Sequence, residues 1–170
     1  MKTSPLSQGL PGSSRRAPIS LYPSSPTISP TSKRVLIADD NPLVRKAVCS
    51  LFTFDGFSVC GEAGDGAQAI EEAKQTRPDV IVLDFSMPVM DGIRAAKALK
   101  QIMPDVPIIL FTAHASSALE KDALAAGIAA IISKQQDPSE LVTKAHELLA
   151  QNARVKGVFP IAKTRSNHAK

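Results

Sequence analysis

From Lys33 onward, short apolar runs alternate with amphipathic stretches at nearly constant spacing. "RVLIA" (34–38) is uninterrupted by polar residues, the pattern of a strand covered on both faces. Asn41-Pro42 then supplies an N-cap and a proline at the first helical position. Leu43, Val44, Ala47, Val48 and Leu51 follow at helical spacing. Gly56 breaks that helix, and "FSVCGEA" (57–63) predicts a second strand. Asp65-Gly66 opens a helix to about Gln75, which Pro78 stops. "DVIVLDF" (79–85) is the most apolar strand and is expected at the centre of the sheet; "MPVMDG" (87–92) is loop, and Ile93 to Gln101 is helical. "VPIILFTA" (106–113) and "IAAIIS" (128–133) read as the fourth and fifth strands. Between them, "SSALEKDALAAG" (116–127) is an alanine-dominated helix with a thin buried face. Asp137-Pro138 caps a last helix that aligns Leu141, Val142, Ala145, Leu148 and Leu149 on one side.

Strict alternation of short buried strands with helices predicts an α/β fold, a doubly wound five-stranded parallel sheet with five helices. Right-handed crossovers and units of this size favour the strand order 2-1-3-4-5. In that order the first and third strands are neighbours where the winding reverses, and ligands bind beyond the carboxyl ends of the strands at that point. The polar residues fall there. The first strand ends in Asp39-Asp40, the third in Asp84, the fourth in Thr112 and the fifth in Ser133-Lys134.

Adjacent carboxylates at the end of a buried strand repel and lose hydration unless positive charge sits with them. Three carboxylates attract a hard divalent cation, and a small all-oxygen site suits Mg²⁺. The cation and the Lys134 ammonium together neutralise the three acids, which leaves a site poised for a phosphoryl group. Metal and lysine would neutralise its oxygens, a hydroxyl would donate to another, and a carboxylate would be the nucleophile. Asp84, on the central strand, is the geometric choice for that role. Taken singly, each residue has a plainer reading as a loop cap, a strand threonine or a snorkelling lysine. Asp65 and Asp91, each before a glycine, read as helix-start residues. His114, His146 and His168 share no metal-ligand spacing, although His114 follows close on Thr112.

Charge changes the picture of the termini. The net charge is +4, yet residues 33–150 hold all 16 acids against 12 bases and are acidic. Residues 1–32 are acid-free, with nine Ser and six Pro, and read as a disordered extension; residues 151–170 read as a basic, flexible tail. An acidic domain argues against a nucleic-acid platform, so direct DNA binding is not expected. Cys49 and Cys60 read as small buried hydrophobes of a reducing, cytoplasmic compartment. No apolar run reaches the ~20 residues that span a bilayer, so no membrane partner is expected.

Residues 33–150 resemble a receiver domain of a bacterial two-component response regulator, with the CheY-like, flavodoxin-like fold. The matching stretches are "VLIADDNPLVRKAV", "RPDVIVLDFSMPVMDGIRAAKAL", "DVPIILFTAHAS" and "AGIAAIISK". They are most similar to receivers that precede NarL/FixJ-type helix-turn-helix domains. The resemblance implies that Asp84 accepts a phosphoryl group from a phosphohistidine on a sensor histidine kinase or phosphotransfer protein. It implies that Asp40 holds Mg²⁺ directly, Asp39 mainly through water, and the Phe85 backbone carbonyl as a further ligand. Thr112 would move toward the phosphoryl oxygens and Lys134 would pair with them. Ser86 and His114 occupy positions that tune phosphate lifetime in the family.

The sequence also departs from the family. Gln135 follows Lys134 where proline, often cis, is usual; a cis bond to a non-proline residue costs about 3 kcal/mol, so this bond is expected trans or strained. Ile131 stands where many receivers carry a switching Tyr or Phe. The 20 residues after position 150 are too few for a helix-turn-helix domain. The expectation is therefore a stand-alone phospho-switch, not an enzyme. Its output would be protein binding at the face of the fourth helix, fifth strand and fifth helix. Two rival classes are weaker. Haloacid-dehalogenase-type phosphatases usually carry a second Asp two residues after the nucleophile, and position 86 is Ser. A DNA-binding regulator would have to rely on the basic termini.

Overall fold

In the computed structural model, which describes residues 32–113, 116–155 and 157, strands and helices alternate without exception. They are β1 (Arg34–Ala38), α1 (Pro42–Phe54), β2 (Ser58–Ala63), α2 (Gly66–Thr76), β3 (Val80–Asp84), α3 (Gly92–Ile102), β4 (Ile108–Thr112), α4 (Ser117–Ala125), β5 (Ala130–Ser133) and α5 (Ser139–Val155). The strands are all parallel, in the order β2-β1-β3-β4-β5. This is the doubly wound sheet that the alternation predicts. Residues 1–31 of the expected extension, His114, and the tail residues 156 and 158–170 lie outside the described residues.

Polar caps start the helices where the sequence places them. Asn41 accepts from the N–H groups of Leu43 and Val44, Asp65 from Ala67 and Gln68, Asp91 from Arg94, and Ser116 from Leu119. Each satisfies amide donors that the first helical turn leaves unpaired. Asp65 and Asp91 are thus helix-start residues, as expected.

Side chains alternate along the strands and divide the core between two faces. Leu36, Ala38, Ile81, Leu83, Ile108 and Leu110 pack toward α2, α3 and α4. Val35, Ile37, Val80, Val82, Ile109 and Phe111 pack toward α1 and α5. β3 is buried along its whole length, as a central strand must be. α4 holds on by only Leu119 and Ala123, whereas α3 buries five residues.

Several expectations are corrected. Along α1 only Val48 and Phe52 are buried; Val44 and Leu51 are half-buried against the same core, and Leu43 is 78% exposed. Cys49 and Cys60 are half-buried rather than buried. α5 continues to Val155, five residues into the segment read as a flexible tail, with Leu148 and Leu149 packed against the core. Strands β4 and β5 each begin two residues later than the apolar runs suggest, since Val106-Pro107 and Ile128-Ala129 belong to the connections.

The β3–α3 connection is tightly folded over the end of β3. Met90 N–H donates to the Pro88 carbonyl (2.6 Å), so Val89 sits at the centre of a three-residue turn with φ 63°. For a β-branched residue this is strained, at a cost of order 1–3 kcal/mol. Gly92 closes the connection: its N–H donates to the Phe85 carbonyl (3.0 Å), and a Cβ there would lie 2.2 Å from the Asp84 carbonyl oxygen. Gly66 is wedged similarly, with a Cβ position 2.6 Å from the Met90 carbonyl oxygen. The two positions carry opposite expectations. Val89→Gly should raise the melting temperature, relief of strain exceeding the ~1 kcal/mol of added unfolded-state entropy. Gly92→Ala should lower it, overpacking costing about 1–3 kcal/mol of stability. Thermal denaturation of both variants checks the pair; equal melting temperatures would remove the argument.

Candidate functional site

Sheet register brings the strand ends level. β1 and β3 pair with Ala38 opposite Leu83, so the next residues, Asp39 and Asp84, come side by side. β4 and β5 pair with Thr112 opposite Ser133, which places Lys134 one step beyond. Alternation then selects a face. Asp39 follows Val35 and Ile37, Asp84 follows Val80 and Val82, and Lys134 follows Ile132, all on the α1/α5 side. The Lys134 ammonium accordingly reaches Asp39 Oδ2 at 2.8 Å and Asp84 Oδ1 at 3.1 Å. It also lies 5.6 Å from the centre of the Phe111 ring.

Both carboxylates are nearly closed off from solvent, Asp39 at 2% and Asp84 at 5% exposure. Asp39 is held at every polar atom. Its N–H donates to the Ala63 carbonyl (3.1 Å), its Oδ1 accepts from Asn41 N–H (2.9 Å), its Oδ2 pairs with Lys134, and its carbonyl accepts from the Arg45 guanidinium (2.6 Å). Asp40 is exposed, and its carboxylate takes no part in the ion pair. One oxygen from each of Asp39, Asp40 and Asp84 lies within 4.8 Å of the others, an all-oxygen donor set that fits a single hard cation. The Phe85 carbonyl spends one lone pair on Gly92 N–H and keeps the other.

Burial pushes the Asp84 carboxyl above its ordinary range; Lys134 opposes this and the Asp39 charge adds to it. For Lys134, burial pulls downward, but hydrogen bonds and attraction from Asp39 and Asp84 outweigh it and the ammonium titrates above its usual range. The three groups are thus electrostatically one unit, with two negative charges sharing one positive.

The remaining candidates sort by position. Thr112 is buried at the end of β4, and its carbonyl accepts Lys134 N–H (2.7 Å), tying the two strand ends together. Ser86 is exposed on the loop after Asp84. His114 falls outside the described residues. His146 is on α5, bonded to Asp55 (2.5 Å), and belongs to a different part of the surface. The Lys134–Gln135 bond is trans, like every peptide bond among the described residues. In place of proline, side chains organise that turn: Gln136 Oε1 accepts Ser133 N–H (2.9 Å) and Ser133 Oγ accepts Gln135 N–H (3.2 Å). Ile131 is half-buried and packs into the α4-side core.

Two residues absent from the expected site contribute to it. Gly92 allows the β3–α3 loop to lie on the Asp84 backbone, and the Gly after Asp91 was the available signal. Arg45 reaches back from α1 to the Asp39 carbonyl, and nothing in local sequence marks it. Cys49 is no nucleophile here: burial and then the neighbouring Glu62 push its thiol up to about 11.

Residues 35–146 match the Response regulator receiver domain family. Over 117 residues the chain is 37% identical to a putative transcriptional regulator of Pseudomonas aeruginosa, a span covering 69% of this chain and 56% of that protein. Over 110 residues it is 38% identical to the chemotaxis protein CheY of Thermotoga maritima, covering 65% of this chain and 92% of that one. Against the regulator, as against NarL of Mycobacterium tuberculosis at 53%, the chain spans about half the relative's length. Among solved structures, the receiver domain of the putative response regulator NarL from M. tuberculosis superposes with TM-score 0.67 at 34% identity, covering 71% of this chain and 98% of that one. A chain of the CheX–CheY–BeF3–Mg²⁺ complex from Borrelia burgdorferi superposes with TM-score 0.65 at 29% identity, over 68% and 88% of the two chains. With the parallel sheet order, the clustered acids and these matches together, the chain belongs to the response regulator receiver domain family of two-component systems.

Proposed function

We propose that this receiver takes a phosphoryl group onto Asp84 from a phosphohistidine of a sensor histidine kinase or phosphotransfer protein, and that phosphorylation changes its affinity for a protein partner. The observation that carries the reading is the pairing of one strand-end lysine with two buried carboxylates, beside a third that is left outside the pair. In the transfer, an Asp84 carboxylate oxygen forms the new P–O bond as the P–N bond to the donor imidazole breaks, and the imidazole keeps the electron pair. Asp84 must be ionised to attack, and Lys134 holds it so against burial. Asp39, Asp40, Asp84 and the Phe85 carbonyl would hold Mg²⁺, which when bound supplies positive charge to the phosphoryl oxygens. The Borrelia relative was crystallised in a complex with BeF3 and Mg²⁺, which agrees with this donor set. Thr112, one residue past the Asp84–Phe111 register pair, would donate its hydroxyl to a phosphoryl oxygen.

Ser86 and His114 are assigned to tuning phosphate lifetime. Ser86 supplies no carboxyl group for acid–base catalysis, so the chain is read as a switch rather than a turnover enzyme. The output is assigned to the α4–β5–α5 face, because α4 has only Leu119 and Ala123 buried to resist displacement. No helix among the described residues is long and apolar enough to cross a membrane.

Incubation with acetyl phosphate and Mg²⁺ should attach one phosphoryl group per chain, labile to hydroxylamine and lost in Asp84→Ala. Labelling that persists in Asp84→Ala, seen by intact mass, would overturn the assignment, and sustained turnover of a generic phosphate ester would favour the enzyme reading. Within the acid pair, Asp40→Ala should weaken Mg²⁺ binding more than Asp39→Ala, because Asp39 already spends its oxygens on Asn41 and Lys134. Isothermal titration of both variants measures this.

Stability gives a further expectation without metal. The folded chain holds the Asp84 proton more tightly than the unfolded chain does. That contribution is fully present below the unfolded pKa and is lost as pH rises through the raised folded value. Asp84→Asn keeps an acceptor for Lys134 and removes the charge. It should therefore raise the melting temperature at neutral pH, by roughly 4 °C per kcal/mol relieved, with the gain vanishing in acid. An unchanged melting temperature at neutral pH would count against the burial cost assigned to Asp84.

A further inference from the structure

Arg45 joins the acid pair to the neighbouring strand β2. It lies in the first turns of α1 with 22% of its side chain exposed. One guanidinium nitrogen donates to the Asp39 carbonyl at 2.6 Å, and Nε donates to Glu62 Oε2 at 3.3 Å on β2. That carbonyl belongs to the peptide linking Asp39 to Asp40. The Asp40 carboxylate has no hydrogen-bond partner among the described residues, so this peptide, which places the Asp40 Cα, is the nearest fixed point from which its side chain projects. Arg45 fixes the plane from the carbonyl side. The fork geometry of a guanidinium lets it do so while Glu62 holds its other edge, and a lysine ammonium has no second planar edge to offer.

We propose that Arg45 is a positioning residue for the divalent cation: it fixes the Asp39–Asp40 peptide so that the Asp40 carboxylate points into the cleft, and Glu62 fixes Arg45. The proposal rests on the reading that Asp39, Asp40 and Asp84 hold Mg²⁺. Arg45 bonds the Asp39 carbonyl and Glu62, not a carboxylate oxygen of the acid cluster. Its effect runs through the backbone, as outer partners of metal ligands act on affinity by orienting them. Its positive charge lies beside a cluster where acids outnumber the lysine, so on charge alone its removal would strengthen cation binding. A purely electrostatic role would make Arg45→Met bind Mg²⁺ more tightly; a positioning role makes it bind more weakly.

The test is Mg²⁺ titration by calorimetry on the full chain, with thermal denaturation of each variant. Arg45→Met should weaken Mg²⁺ binding about 10-fold or more. Arg45→Lys should recover part of the loss by bonding the carbonyl alone. Glu62→Gln, which leaves the guanidinium in place with a weaker hold, should fall between Arg45→Lys and wild type. Wild-type affinity in Arg45→Met that still melts cooperatively, or tighter binding, would overturn the proposal. Should Arg45→Met fail to fold, Arg45→Lys and Glu62→Gln decide it: wild-type affinity in both would overturn it. A structural role alone would lower the melting temperature of the folded variants and leave their Mg²⁺ affinity unmoved. Failure of the underlying reading looks different, since then the wild type itself would show no saturable Mg²⁺ binding and Asp40→Ala would change nothing.

Discussion

Two buried carboxylates and the partly buried ammonium that pairs with both, at the ends of three strands, are the constraint around which this receiver is organised. Asp39 and Asp84 are almost wholly buried, and Lys134 reaches both within hydrogen-bond distance. Such a cluster is costly to assemble, because desolvation of each ion competes with their attraction. The direction of the two pKa displacements records the balance. Lys134 gains from having two partners and titrates high, while Asp84 titrates high mainly because it is buried, with Lys134, which it shares with Asp39, only partly offsetting that cost. The cluster is stable enough to form and short of positive charge. That shortage is the physical basis for expecting it to take up a cation and then a phosphoryl group.

The rest of the fold serves this arrangement by fixing the strand ends. Backbone bonds link Asp39 to Ala63 on β2 and Lys134 to Thr112 on β4, so adjacent strands carry each other's functional residues in register. The β3–α3 connection adds a third constraint. Gly92 lets the chain fold onto the Asp84 and Phe85 carbonyls, and the positive φ at Val89 supplies the reversal that makes this possible. Strain stored in a loop is maintained only where surrounding contacts over-determine it. Here Gly66 and Met90 provide that contact, tying the loop to α2.

Much of this was legible in the sequence, for reasons that differ by residue. Asp39, Asp84 and Lys134 each end an apolar run, and parallel strands in a doubly wound sheet end on one side, so their convergence follows from topology alone. The caps Asn41, Asp65 and Asp91 are local, and local chemistry is readable. Leu43 was misjudged because helical spacing says which residues share a face, not which of them meets the core. Arg45 was missed for the same kind of reason. Its contact depends on the rotation of α1 against β1 and β2, which no pattern along the chain encodes. The turn at Lys134 could be foreseen only as a choice between trans and strained. The structure resolves it as trans, with Ser133 and Gln136 doing by hydrogen bonds what a ring would do by covalent restraint.

The uneven anchoring of the helices bears on how a change at the site would travel. α3 is fixed by five buried residues, and its Lys100 ammonium caps the Pro104 and Val106 carbonyls at 3.0 and 2.8 Å. α1 and α5 are joined through Val48, Phe52, Leu141 and Ala145 in one continuous core. α4 has Leu119 and Ala123, and it directly follows the segment that carries Thr112. On its side of the sheet, α4 therefore has the fewest buried residues to oppose a displacement. Without an aromatic residue at position 131, Ile131 can transmit such a displacement only by repacking within the α4-side core. In the proposed switch, then, the work is done by moving a weakly held helix rather than by rotating a ring, and the face that α4 helps form is the one whose shape must change.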